Sequence, residues 1–199
     1  MKTSIYKLSI LLMLTITFTS CDNDNDPTNN VCENTYVTDA IVNAFSTANG
    51  YDVISTMDLE THEYVIQINA DGEICTIGYQ NATGYSGSYT MEVRNHNNPS
   101  VDYSGVHTFQ QANLDYQPIT PVPVTSGDII LVSRTISPGY ANFNDVLGKV
   151  IRKTGGGNVP YGAGITQGNV KFISSDFYGA GGPVPDIAQP VIGLGFKVN

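Results

Sequence analysis

The strongest constraint on this chain is a two-residue alternation of apolar and polar side chains, broken at short intervals by Gly, Pro, Asn and Asp. A strand turns successive side chains to opposite faces, so this period describes half-buried strands, not helices. From Glu63 to Asn69, Tyr64, Ile66 and Ile68 alternate with Val65 and Gln67. Ala70-Asp71-Gly72 then reads as a turn and Glu73 to Tyr79 as the returning strand of a hairpin. Ser88 to Arg94 places Tyr89, Met91 and Val93 on one face and Thr90, Glu92 and Arg94 on the other. Ile129 to Val132 is apolar at every position, the pattern of a central strand covered on both sides. Near the end, Ile192, Leu194, Phe196 and Val198 alternate with Gly193, Gly195 and Lys197, which predicts a strand with one buried face.

Helical signals are few. Thr38 is placed to cap a helix over Asp39 to Thr47, with Gly50 beyond its end, but the Val, Ile, Phe and Thr content suits an edge strand equally. Thr154 to Gly168 is rich in glycine and carries no period, so it reads as a loop. Short strands separated by regular turn signals point to an all-β sandwich, forming one domain over residues 35–199.

The order of these segments carries a resemblance. The run Asp71-Gly72-Glu73-Ile74-Cys75-Thr76-Ile77-Gly78-Tyr79 is followed by Tyr89-Thr90-Met91-Glu92-Val93, then Pro121-Val122-Pro123-Val124-Thr125-Ser126-Gly127-Asp128 and Ile129 to Arg134. Over residues 62–135 this resembles secreted jelly-roll sandwich domains of uncharacterised families, with a galactose-binding-like architecture. Phe177-Tyr178-Gly179 and Ile192 to Val198 fit the closing strand. The resemblance implies an antiparallel jelly-roll-like sandwich. The Trp of that pattern is missing, and no catalytic residues come with it.

The N-terminal segment carries a second resemblance. Lys2 and Lys7 precede an apolar stretch from Leu8 to Phe18, and Thr19-Ser20 then leads into Cys21. This layout is that of a secretory signal peptide over residues 1–20. It resembles the lipobox of bacterial lipoproteins, with Phe18 where such boxes usually carry Leu. The resemblance implies a diacylglycerol on the Cys21 sulfur and an acyl chain on its amine. Two or three chains suffice for stable anchoring. The apolar stretch is about half the roughly 20 residues that a membrane-spanning helix requires.

Residues 21–34 open with Asp22-Asn23-Asp24-Asn25-Asp26, which predicts a solvated linker. An acidic tract at this place resembles the export signal of surface lipoproteins in Gram-negative bacteria. The expected location is therefore the outer membrane or cell surface, with the periplasmic face as the alternative. Asp22, Asp24, Asp26 and Glu33 also have the spacing of a calcium loop, but Pro27 stands where that loop needs Gly, so no metal site is assigned.

The chain carries 9 basic and 18 acidic residues, and loss of residues 1–20 removes two basic residues and no acidic ones. Such acidity argues against nucleic acid as a partner. With Cys21 assigned to lipid, Cys32 and Cys75 remain, and two readings stay open. They form a disulfide between the linker and an early strand, or Cys75 is a buried thiol alternating with Ile77 and Tyr79.

Chemistry-bearing clusters are scarce. His62, His96 and His107 have no partner at metal-ligand spacing and read as surface or turn residues. Gly84-Tyr85-Ser86-Gly87-Ser88 misses the serine-nucleophile elbow by one residue and reads as a loop. Gly162-Ala163-Gly164-Ile165-Thr166-Gln167-Gly168 imitates a dinucleotide fingerprint without its strand and helix. No cofactor is implied. There are 12 tyrosines and no tryptophan. Tyr85, Tyr103, Tyr140, Tyr161 and Tyr178 lie near expected turns, where Tyr can stack on a sugar and bond its hydroxyls. Tyr161 and Tyr178, beside the glycine-rich loop, are the candidate ligand contacts. The function expected is thus a non-enzymatic envelope module for a glycan or a surface protein. A pilin-like or adhesin subunit that exchanges the strand from Pro190 to Asn199 is the alternative, and a glycan hydrolase the third reading.

Overall fold

The computed structural model describes residues 31–57, 60–81, 85, 87–137, 146–179 and 181–199. Cys21, the expected signal peptide, Asp22 to Asp26, Tyr140 and part of the Gly84 to Ser88 loop lie outside them.

The one α-helix among the described residues, α1, spans Tyr36–Ala44. Val37, Ala40, Ile41 and Ala44 are buried, and their 3.6-residue spacing gives the helix the apolar stripe it packs with. It starts earlier than Thr38 suggested. Thr35 occupies the N-cap without a capping side-chain bond, and Thr38 lies within the first turn, hydrogen-bonded to the Tyr116 hydroxyl. Gly50, at φ +83°, closes a separate 3-10 turn over Thr47–Asn49.

The rest of the described chain is antiparallel strand. One sheet of seven runs in the order β11 (Gly182–Pro185), β10 (Val170–Gly179), β2 (Thr61–Ile68), β7 (Asp128–Ser137), β4 (Ser88–Asn95), β5 (Tyr103–His107), with β9 (Ile165–Gln167) also paired to β10. Facing it are two three-stranded sheets. One has the order β13 (Gly193–Val198), β3 (Gly72–Tyr79), β6 (Asp115–Val124), and the other β1 (Tyr51–Met57), β8 (Val146–Lys153), β12 (Gln189–Pro190). The expected all-β sandwich is the architecture observed.

The expected hairpin across Ala70-Asp71-Gly72 is not formed. β2 pairs with β7 and β10, whereas β3 pairs with β6 and β13, so the turn carries the chain from one layer to the other. The connection from β6 to β7 crosses in the same way. A turn signal specifies that the chain reverses, and the sheet in which it returns is decided by tertiary pairing.

Inward-facing residues are those the alternation picked: Tyr64, Ile66, Ile68, Tyr89, Met91, Val93, Ile192, Leu194 and Phe196 are all buried. Val198 is exposed. One glycine of β3 and one of β13 have a steric role. A side chain at Gly78 or Gly193 would collide with the Tyr116 ring, so the two bare positions form the slot in which that ring lies.

Two histidines expected at the surface are inside. His107 is bonded to the Tyr103 hydroxyl and Gln117, and His62 is wholly enclosed beside Arg134. Arg134 is itself 0% exposed. Its guanidinium carbon lies 5.7 Å from the ring centroid of Tyr79 and 5.4 Å from that of Tyr89, so the two rings offer their negative faces to the cation. One arm donates to the Glu60 carbonyl at 3.2 Å, and the other lies 2.9 Å from His62 Nε2 and 3.0 Å from Nδ1. Burial and the neighbouring Arg134 charge hold the His62 imidazole well below its usual pKa, which keeps a neutral ring nitrogen able to accept.

Cys32 and Cys75 form a disulfide with Cα atoms 6.1 Å apart. The alternation that put Cys75 in phase with Ile77 is broken by a bulge. Both partners of β3 shift register here, so that Ile74 and Ile77 turn inward and Cys75 is left toward the N-terminal segment. Glu33 adds a β-bridge to Phe196 beside it. The bond spans 43 residues of chain. Loop closure of that size implies that Cys32→Ser/Cys75→Ser lowers stability by about 4 kcal/mol. Urea unfolding of both proteins should show the loss as a lower midpoint, matched by adding reductant to the unmutated protein.

Candidate functional site

The two tyrosines singled out in sequence lie on different sides of the large sheet. Tyr161 is 4% exposed, packs edge-on against Phe45 at 6.1 Å and donates its hydroxyl to Gln189 Oε1 at 2.9 Å. Burial raises its hydroxyl pKa far above the usual value. A ring so enclosed has no face to offer a sugar, and the expectation of a ligand contact at Tyr161 is corrected: it is a core residue. Tyr178 is half-buried on the outer sheet face and donates to Glu63 Oε1 at 3.2 Å. Glu63 stands opposite Asp176 in the β2–β10 pairing, and burial raises both carboxyl groups. Tyr178 thus remains accessible in part, on a flat surface.

A more enclosed concavity is elsewhere, at the end of the sandwich where the chain changes layers. It is an open cleft of about 600 Å³, within the range of small-ligand sites. Three connections and the last residue meet there: Asp71 between β2 and β3, Asn97 and Asn98 beyond Asn95 at the end of β4, Thr125 between β6 and Asp128 at the start of β7, and Asn199 after β13. Turn chemistry explains the composition, because Asn and Asp bond neighbouring backbone and so favour such reversals.

The cleft's frame is fixed by its own side chains. Asn95, buried at the base, donates to the Pro123 carbonyl at 3.1 Å and to Asp128 Oδ2 at 2.8 Å, while its oxygen accepts from the Asn97 and Asn98 amides. Asp128 Oδ2 also accepts from Thr125 N, Asp71 Oδ1 from Ser126 N, and Asn97 Oδ1 from Ile129 N. The framework therefore uses the oxygens of Asn97 and Asn98 and one oxygen of each carboxylate. The Asn97 and Asn98 side-chain amide donors and the second carboxylate oxygens have no framework bond among the described residues. The result is a preorganised set of donors and acceptors open to water.

No family model, curated protein or solved structure matches this chain.

Other places offer less. A second hollow, of about 260 Å³, lies between α1 and the turn at Gly168. No three His, Cys, Asp or Glu side chains among the described residues are grouped to hold a metal. The segment from Gly162 to Gly168 leads into β9, so the helix that a pyrophosphate site requires is absent from it. In sequence the cleft residues lie in the polar stretch around His96 and in the Ser126-Gly127-Asp128 stretch before Ile129, and neither carries a binding motif. The usable signal was the density of Asn and Asp in both.

Proposed function

We propose that the protein is a cell-envelope lipoprotein, anchored through lipid on Cys21, whose β-sandwich is a non-enzymatic glycan-binding module. The observation that carries the binding site is the rigid polar cleft with unused amide donors at Asn97 and Asn98 beside unused oxygens of Asp71 and Asp128. A sugar hydroxyl both donates and accepts, and such a mixed set is complementary to it. Among the described residues no aromatic ring lines this cleft, so hydrogen bonding rather than stacking supports recognition. The anchor reading is supported by the basic, apolar and small-residue order before Cys21. Among the described residues no helix is long and apolar enough to cross a membrane.

The test is a glycan array probed with the full chain in detergent, alongside Asn97→Ala/Asn98→Ala. Binding should fall at least about tenfold, or about 1.4 kcal/mol, in the double variant. Binding that survives the change would move the site, first to Tyr178 and Glu63. Fractionation with Cys21→Ala should shift the protein from membrane to soluble fractions.

A structural-subunit reading has one observation in its favour. β13 is an edge strand of its sheet yet supplies the buried Leu194 and Phe196, the arrangement that strand exchange between copies would require. A silent array with Cys21 lipidated would favour it.

A further inference from the structure

Resting on the glycan reading above, we infer that the cleft selects saccharides bearing a free amine and rejects acidic ones. Among the described residues the cleft's lining carries two carboxylates, Asp71 and Asp128, and no Lys, Arg or His. Neither carboxylate is neutralised by an ion pair among the described residues, since the pairs there are Arg94 with Glu92 and Lys197 with Glu73. Each keeps one oxygen outside the framework of the cleft. The chain as a whole has a formal charge of −9, so the surrounding field has the same sign as the site's own.

The three saccharide classes separate on this basis. A neutral ring meets the amides of Asn97 and Asn98 and the carboxylate oxygens through hydroxyls alone. A protonated amine adds a charge-assisted hydrogen bond to a carboxylate, which is stronger than its neutral counterpart. A uronate brings a third negative charge against two fixed ones and finds no cation. N-acetylation removes the amine's charge and returns the ligand to the neutral class. The order of affinity is therefore free amine, then neutral or N-acetylated, then uronate. The carboxylates are solvent-facing, so the preference depends on ionic strength.

The experiment is calorimetric titration of the full chain in detergent with three probes of equal length. These are glucosamine oligosaccharides, their N-acetylated forms and oligogalacturonates, at 20 mM and 500 mM salt. The expected result is at least a tenfold preference for the free amine over the N-acetylated probe at low salt, shrinking at high salt, and no uronate binding. Asp71→Asn/Asp128→Asn should remove the preference. Should that pair misfold, the salt dependence in the unmutated protein carries the same information. Equal affinity for amine and N-acetylated probes, or uronate binding, overturns the selectivity while leaving the glycan reading in place. Binding of the amine probe that survives Asp71→Asn/Asp128→Asn unchanged also overturns it. Binding of none of the three, with a silent array, overturns the reading on which it rests.

Discussion

Arg134→Ala should lower the free energy of unfolding by about 3–5 kcal/mol. The side chain is wholly buried, and its loss opens a cavity between Tyr79 and Tyr89 while leaving the Glu60 carbonyl and the His62 ring without this donor. For a domain of this size each kilocalorie corresponds to about 2–4 °C of melting temperature. Arg134→Met, which refills most of the volume without the donors, should recover part of the loss and so separate packing from hydrogen bonding. The pair also has a pH signature. His62 is held neutral in the fold well below its usual pKa, by burial first and by Arg134 second. Below about pH 6.5 the unfolded chain takes up a proton that the native state refuses. Stability then falls as pH falls, with a slope of up to about 1.4 kcal/mol per unit. His62→Phe should flatten that slope. Glu63 and Asp176, raised by burial, act with the opposite sign but are common to both proteins, so they cancel in the comparison.

Phe196→Ala should cost a similar amount, about 3–5 kcal/mol. The ring is 1% exposed, sits 4.9 Å from that of Tyr36 and covers the bare backbone at Gly72. It therefore ties α1, β3 and β13 together at one point. Urea unfolding at unchanged slope would report the loss as stability. Limited proteolysis should cut within α1 sooner in the variant, because the ring that Tyr36 packs on is gone. An effect below 1 kcal/mol would mean that the neighbours close the gap.

Most strands could be read from the chain because a half-buried strand writes its two faces into alternate residues, as in Tyr64, Ile66 and Ile68. What such a period omits is the partner. β2 and β3 look like a hairpin in sequence, and only the register of Ile68 with Asp128 and Gly72 with Val124 shows that they belong to different layers. A bulge has no local signature either, so Cys75 was in phase with the core until one extra residue turned it away. Arg134 simply closes the run from Ile129, and nothing within ten residues announces the two tyrosines between which it lies. The cleft shows the same limit more strongly. Its residues come from positions 71, 72, 95, 97, 98, 123–125, 128 and 199, which are neighbours only after three connections and the last residue have met. Tyr161 and Tyr178 look alike in sequence, each beside a glycine-containing loop, and only the burial of Tyr161 in the fold separates them.

The Cys32–Cys75 bond also has a mechanical meaning. Tension applied through the residues before Cys32 does not have to pull on α1 or on the large sheet, because the bond hands it directly to β3. From Cys75 it is four residues back along the chain to Asp71 at the cleft, about 13 Å of extended backbone. A force applied at that cleft thus has a short covalent route to Cys32, and the remainder of the sandwich stays outside the strained path.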